Sequence, residues 1–336
     1  MNKKFLICFF CLFALADFEH PEKLGKLNEI LNPFMIRVDS DNAYISDQYY
    51  VFFYSLKDLK LLSKVGGKGE GPANFLVYPK IRVMKDSIIA YSAGRITFFS
   101  RSGESLGDKK ISRIFFLLDY TKGNFVMPVT QVAAGKEKVH LTQYTVFDSD
   151  FNVIKVIHSI KIAVANSQRK VKKFLISPLT TFQCYDDKIY LVDGQNGFQI
   201  KVFDYQGKFL KQIQREYEKI EIPESVKKEK YKKYINTPAI KKRLRIFKEM
   251  YEPTFPEHFP PIQDFRISES KMYIKTYKTS GGKAEFIILD LNGKLLGKTF
   301  LPDIQSSLFD IVGNRFYFLK EDENEDYWEL HSTKIQ

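Results

Sequence analysis

The sequence predicts an all-β fold: a six-bladed β-propeller of four-stranded antiparallel blades, with a short α-helical insertion between blades 4 and 5. Three observations predict it. An aromatic-rich strand that runs into a polar turn and then a second apolar strand recurs along the chain. The copies are near-equally spaced, 46 residues from Phe53 to Phe99 and 48 from Phe99 to Phe147, close to the roughly 40 to 50 of familiar propeller repeats. A further strand stands before each hairpin and a shorter apolar stretch before that, so each unit reads as four antiparallel strands. A two-sheet sandwich also uses short strands, but it does not require near-equal repeats of four.

In chain order the hairpin appears at Tyr50-Val51-Phe52-Phe53 before Lys57-Asp58, at Ile96-Thr97-Phe98-Phe99 before Ser102-Gly103-Glu104, and at Tyr144-Thr145-Val146-Phe147 before Asp150-Phe151-Asn152. It returns at Ile200-Lys201-Val202-Phe203 before Tyr205-Gln206-Gly207-Lys208 and at Phe286-Ile287-Ile288-Leu289 before Leu291-Asn292-Gly293-Lys294. The preceding strands are Ala43-Tyr44-Ile45, Ile88-Ile89-Ala90, Phe125-Val126-Met127, Ile189-Tyr190-Leu191 and Met272-Tyr273-Ile274, with a sixth at Phe316-Tyr317-Phe318. Upstream again lie stretches such as Phe34-Met35-Ile36-Arg37-Val38, Lys80-Ile81-Arg82-Val83 and Ile262-Gln263-Asp264-Phe265.

From Phe203 to Leu289 is 86 residues, which places an insertion at about 220–261. It reads as helices, with Val226, Lys230 and Tyr234 at i, i+4 spacing and Thr237-Pro238 as cap and first turn before Ile240, Leu244, Phe247 and Tyr251. Pro253, Pro256, Pro260 and Pro261 end it. The last unit shows three strands, and a closed ring requires a fourth. The stretch 23–31 is the expected outer strand that clasps the ring with both chain ends.

Residues 1–16 read as a signal peptide: Lys3 and Lys4, the apolar run Phe5 to Phe13, and the small-residue site Ala14-Leu15-Ala16. The propeller would then occupy 17–336 as one exported domain, periplasmic, in the cell envelope or extracellular. A lipoprotein is disfavoured because Ile7 and Phe10, not small residues, precede Cys8 and Cys11. Removal of the segment leaves Cys184 as the sole thiol, so packing rather than an intramolecular disulfide stabilises the mature chain. Hydrophobic residues at 44% and aromatics at 15% supply ample surface to bury. The formal charge of +12 falls to +10 without Lys3 and Lys4. With export, that balance reads as a Lys-rich surface and not as nucleic-acid binding.

At Val65-Gly66-Gly67-Lys68-Gly69-Glu70-Gly71-Pro72-Ala73-Asn74-Phe75 the chain resembles exported bacterial six-bladed β-propellers of the TolB-like and NHL-like groups. Those proteins often carry a glycine-rich segment ending in Gly-Pro-Gly-Glu-Phe after the first blade. Here Gly71, Pro72 and Phe75 are kept, with Ala73 and Asn74 in place of Gly and Glu. The resemblance implies the fold, export and a binding role without an assigned activity.

Motifs with chemical precedent lack their structural context. Gly103-Glu104-Ser105-Leu106-Gly107 matches a hydrolase elbow but lies on a hairpin turn followed by strand, not helix. Gly66 to Gly71 lacks the Lys-Ser or Lys-Thr of a phosphate loop. Asp148-Ser149-Asp150-Phe151-Asn152 begins like a calcium loop, yet Val153 and Ser159 stand where Gly and Glu are needed. The five histidines, His20, His140, His158, His258 and His331, contain no i, i+4 pair. The basic run Lys241–Lys248 forms one face of an expected amphipathic helix that offers a weak contact to anionic surfaces.

The expected function is therefore a non-catalytic binding or scaffolding propeller, without a cofactor or a metal, that recognises a protein, peptide or glycan of the cell envelope. The competing class is a lactonase-like hydrolase or lyase with a metal in the central channel, for which Asp264 and Asp310 are isolated candidate ligands. Loops joining second to third strands, and blade to blade, emerge on one face. That face should gather Gly66 to Pro72, Ser92 to Arg95, Val132 to His140, Gly194 to Gly197, Thr279 to Gly282 and the insertion. Lys68, Arg95, Gln195 and Asn196 are its expected ligand contacts, while the tight turns bearing Lys208 and Lys294 occupy the opposite face.

Overall fold

The computed structural model describes residues 21–92, 94–111, 115–132, 139–163, 170–242, 244–322 and 324–335. Strand β1 (Glu22–Leu27) precedes blade 1, which comprises β2 (Pro33–Val38), β3 (Asn42–Asp47), β4 (Tyr50–Ser55) and β5 (Leu61–Gly66). Blade 2 is β6 (Lys80–Val83), β7 (Ile88–Ser92), β8 (Arg95–Phe99) and β9 (Ser105–Lys110). Blade 3 is β10 (Asp119–Thr121), β11 (Asn124–Val132), β12 (Val139–Phe147) and β13 (Val153–Ala163). After a short strand, β14 (Val171–Phe174), blade 4 comprises β15 (Thr180–Tyr185), β16 (Lys188–Asp193), β17 (Phe198–Asp204) and β18 (Phe209–Arg215).

The insertion carries α1 (Glu224–Asn236), α2 (Pro238–Lys241), α3 (Leu244–Met250) and β19 (Tyr251–Thr254). Blade 5 follows as β20 (Asp264–Ser268), β21 (Lys271–Ser280), β22 (Lys283–Asp290) and β23 (Leu295–Pro302). Blade 6 takes β24 (Phe309–Val312), β25 (Arg315–Glu321) and β26 (Trp328–Lys334) from the end of the chain, and β1 from its start as the outer strand. The fold is thus the six-bladed propeller, all blades antiparallel, with helices inserted between blades 4 and 5. The pairing of Lys26 with Glu329 and Leu27 with Trp328 joins the two ends of the sequence in one sheet. The signal-peptide reading at 1–16 lies outside the described residues.

The strands form where β-branched and aromatic residues alternate faces, and in a propeller both faces of a blade are covered by neighbours. Six apolar clusters result, one at each blade–blade interface. Phe53 of blade 1 and Phe99 of blade 2 meet edge to face at 6.2 Å. Burial of such side chains, about 1.5–3 kcal/mol each, is the main force closing the ring.

The turn between third and fourth strands has one design in blades 2 to 5. In blades 3, 4 and 5, Asp148, Asp204 and Asp290 each accept backbone amides two and four residues on. Ser100 accepts the Glu104 amide in blade 2. The fourth turn residue is left-handed, with φ of +92° at Gly103, +82° at Gly207 and +89° at Gly293, and a bulge follows. Asp148 of the calcium-like segment is engaged in this turn, and Ser105 of the elbow-like motif begins β9.

The insertion departs from the expected helix in two ways. The basic run Lys241–Lys248 is divided between α2 and α3, with Arg243 outside the described residues. Thr237 does not cap forward onto the following turn; its hydroxyl donates back to the Lys233 carbonyl, closing α1 while Pro238 opens α2. Beyond Met250 the chain re-enters an extended form, and β19 pairs in parallel with β14, tying the connection between blades 4 and 5 to that between blades 3 and 4.

Candidate functional site

Each innermost strand carries one polar residue between apolar neighbours at an equivalent position. Arg37, Arg82, Asp119, Gln183, Arg266 and Asp310 pair across to Tyr44, Ile89, Val126, Tyr190, Tyr273 and Tyr317 of the second strands. Together they line the central channel. An innermost strand is a sheet edge whose free amides need partners, and neighbouring blades supply them. Asp119 accepts the Cys184 amide at 2.7 Å, Gln183 takes the Ile267 amide at 2.8 Å, and Asp310 takes the Val38 amide at 3.0 Å. Ser268 accepts the Gly313 amide at 3.0 Å, and Arg82 reaches Asp119 at 2.7 Å.

The belt is also an electrostatic array. Arg266 lies 2.7 Å from Asp264 and 3.8 Å from Asp310, so both carboxylates expected as isolated metal ligands are engaged by one guanidinium. Among the described residues no three His, Cys, Asp or Glu side chains are grouped to hold a metal. Burial pushes the Asp119 carboxyl up against the pull of Arg82. Burial, and then the Asp119 charge, push the Cys184 thiol well above its usual range. Arg37 differs from Arg82 and Arg266 in having no ion pair among the described residues: its side chain donates back to the Ile36 carbonyl at 2.7 Å, and its buried Nε has no hydrogen-bond partner among them.

On the loop-rich face the glycine-rich segment folds onto blade 2. Phe75 is fully buried between blades 1 and 2 and donates its amide to Gly67, while Gly69 donates to Phe75. Gly66, at φ +98°, is required because a Cβ there would stand 2.6 Å from the Tyr49 carbonyl. Arg95, only 8% exposed, clamps this loop: Nη1 donates to Gly71 and lies 3.2 Å from Asp108, and Nη2 donates to Glu70 at 2.5 Å. An open groove of about 550 Å³ lies between this loop and the Arg95 hairpin, with Glu70, Leu76, Ser92 and Lys110 among its walls.

The structure brings Gly66–Pro72 and the Ser92–Arg95 hairpin together at this groove. Lys68 is exposed, 5.6 Å from the Tyr49 ring centre. Gln195 and Asn196 are exposed on blade 4, with Asn196 donating to the buried Asp193 at 2.9 Å. Most of the Val132–His140 segment, 133–138, lies outside the described residues. Lys208 and Lys294 follow the tight turns of the opposite face. Sequence reasoning missed the channel belt, although the signal is visible as Ile36-Arg37-Val38, Ile81-Arg82-Val83 and Phe265-Arg266-Ile267, a cation between apolar residues in three innermost strands.

No protein-family profile matches the sequence, and no curated protein matches it. Solved structures do. A Bacteroides fragilis protein whose name marks it only as a candidate exported protein aligns with a TM-score of 0.56 and 12% identity, over 94% of this chain and 95% of that one. A Bacteroides caccae protein of unknown function gives 0.40 and 10% over 78% of both chains. The Neurospora crassa Pan2 WD40 domain gives 0.43 and 10% over 91% of both. At 12% identity the likeness to the Bacteroides fragilis protein bears on the fold alone.

Proposed function

We propose that the chain is an exported, non-catalytic binding or scaffolding propeller that recognises a protein, peptide or glycan partner on its loop-rich face. The observation that carries this reading is the open groove between the glycine-rich loop and the Arg95 hairpin. Its walls are fixed by the Arg95 clamp and by buried Phe75, so little ordering cost remains at binding. Beside it Leu76, Val77 and Tyr78 are exposed in succession, at 53%, 46% and 46%. An apolar strip next to polar groups is what a partner surface buries. The Bacteroides fragilis neighbour's name and the reading of 1–16 both support export, which N-terminal sequencing of the chain recovered outside the cytoplasm tests; Asp17 is the expected first residue.

The binding test is capture from the cell envelope with three proteins: wild type, Leu76→Glu with Lys68→Ala, and Lys208→Glu with Lys294→Glu. The loop-face pair should lose the captured partner and the far-turn pair should keep it. Loss in the far-turn pair alone places recognition on the other face and defeats the proposal.

A further inference from the structure

The channel holds a cavity of about 70 Å³, walled by Arg37, Lys80, Arg82, Thr181, Gln183 and Arg266. That is several times the roughly 10–15 Å³ needed by one water. Lys80 opens β6 and Thr181 lies near the start of β15, while Arg37, Arg82, Gln183 and Arg266 belong to the belt, so the cavity runs from the belt towards the side of the long loops. Arg82 is matched by Asp119 and Arg266 by Asp264 and Asp310, whereas Arg37 and Lys80 have no ion pair among the described residues. Lys80 donates to the Phe116 carbonyl at 2.5 Å, and the buried Nε of Arg37 has no hydrogen-bond partner among the described residues.

We infer that this cavity is a carboxylate-binding site, in which Arg37, flanked by Lys80 and Arg266, holds one carboxylate group of a small organic acid or of a peptide end. Four cations face three carboxylates, which leaves a single positive charge for a monoanion. A guanidinium with an unused edge suits the two oxygens of a carboxylate. Burial pushes the Arg37 guanidinium down to about 10, opposed by Asp310 and reinforced by Arg266 and Arg82. Burial and then Arg37 also push Lys80 down. Cations crowded in this way gain most from an incoming negative charge.

The test is thermal denaturation of the mature chain and of Arg37→Met, at constant ionic strength set with chloride. Acetate, succinate, a dipeptide, its C-terminal amide and inorganic phosphate are the probes. Carboxylates should raise the wild-type melting temperature with saturation, and Arg37→Met should weaken the apparent affinity by about 10- to 100-fold. A response to acetate or succinate identifies free acids as the source; a response to the dipeptide but not its amide identifies a chain end. Lys80→Met, on a partly exposed side chain, replaces Arg37→Met if the latter does not fold. Silence of every carboxylate, an equal response in both proteins, or stabilisation by phosphate alone overturns the assignment. None of these outcomes depends on the groove, so the partner-binding proposal stands or falls separately.

Discussion

Gly293→Ala tests whether the turns between third and fourth strands lock neighbouring blades together. Gly293 sits at φ +89°, and a Cβ there would stand 2.5 Å from Cγ2 and 3.2 Å from Cγ1 of Ile213 on the outer strand of blade 4. Ile213 is 5% exposed within the interface between blades 4 and 5, so it has little room to give way. Two costs add: about 1–2 kcal/mol for a left-handed alanine and about 1–3 kcal/mol for overpacking. Gly281 is the internal control, with φ +55° and nothing within 4 Å of an added Cβ, so Gly281→Ala bears the first cost alone. In thermal denaturation, at roughly 2–4 °C per kcal/mol, Gly293→Ala should melt several degrees below Gly281→Ala. The double variant Gly293→Ala with Ile213→Ala should be less destabilised than the two single effects summed. Equal melting of the two glycine variants, or additivity within about 0.5 kcal/mol, would refute the reasoning.

Cys184 should react with a thiol reagent at pH 8 far more slowly in the folded chain than after denaturation, because burial and the Asp119 carboxylate raise its thiol pKa; equal rates would contradict the channel electrostatics. Asp193 gives the pH prediction. Burial pushes its carboxyl up, but hydrogen bonds from Lys201 and Asn196 pull it further down, below the usual range. A depressed folded pKa contributes stability that is present above the unfolded value of about 3.9 and lost as pH falls through the folded one. Asp193→Asn should therefore cost about 1–3 kcal/mol at neutral pH and flatten the acid limb of melting temperature against pH; an unchanged acid limb would count against it.

The fold was legible because its signals are local. Strands such as Ala43-Tyr44-Ile45 and Met272-Tyr273-Ile274 announce themselves by composition, and the Gly103, Gly207 and Gly293 turns mark where blades 2, 4 and 5 reverse. The β14–β19 pair was not legible, since Val171–Phe174 and Tyr251–Thr254 are brought together only by the docking of an insertion on a distant connection. Arg95 shows the limit for sites. In sequence it reads as a polar contact on an exposed loop, but its guanidinium faces the carbonyls of Glu70 and Gly71 once the glycine-rich segment folds back. The belt residues were visible singly, yet which charge faces which depends on ring closure, a property of six strands at once.

That closure also explains why the candidate carboxylate site falls beside blades 1 and 2. At most junctions of the belt a strong acceptor or donor crosses to the next innermost strand, as with Asp310 to Val38, Arg82 to Asp119 and Asp119 to Cys184. Between β2 and β6 the belt instead sets Arg37 next to Arg82, and the Ile81 amide finds only the weakly accepting Met35 sulfur, at 3.3 Å. Two like charges side by side cost stability, so this junction must be held from elsewhere. It is held by Phe75 buried between the blades and by the ion pair of Arg101 with Asp39, to which Tyr44 also donates at 2.7 Å. Because those contacts secure the two blades, the channel side of the junction can keep an unmatched guanidinium. It is the place in the ring where binding an anion strengthens the fold without displacing an existing partner.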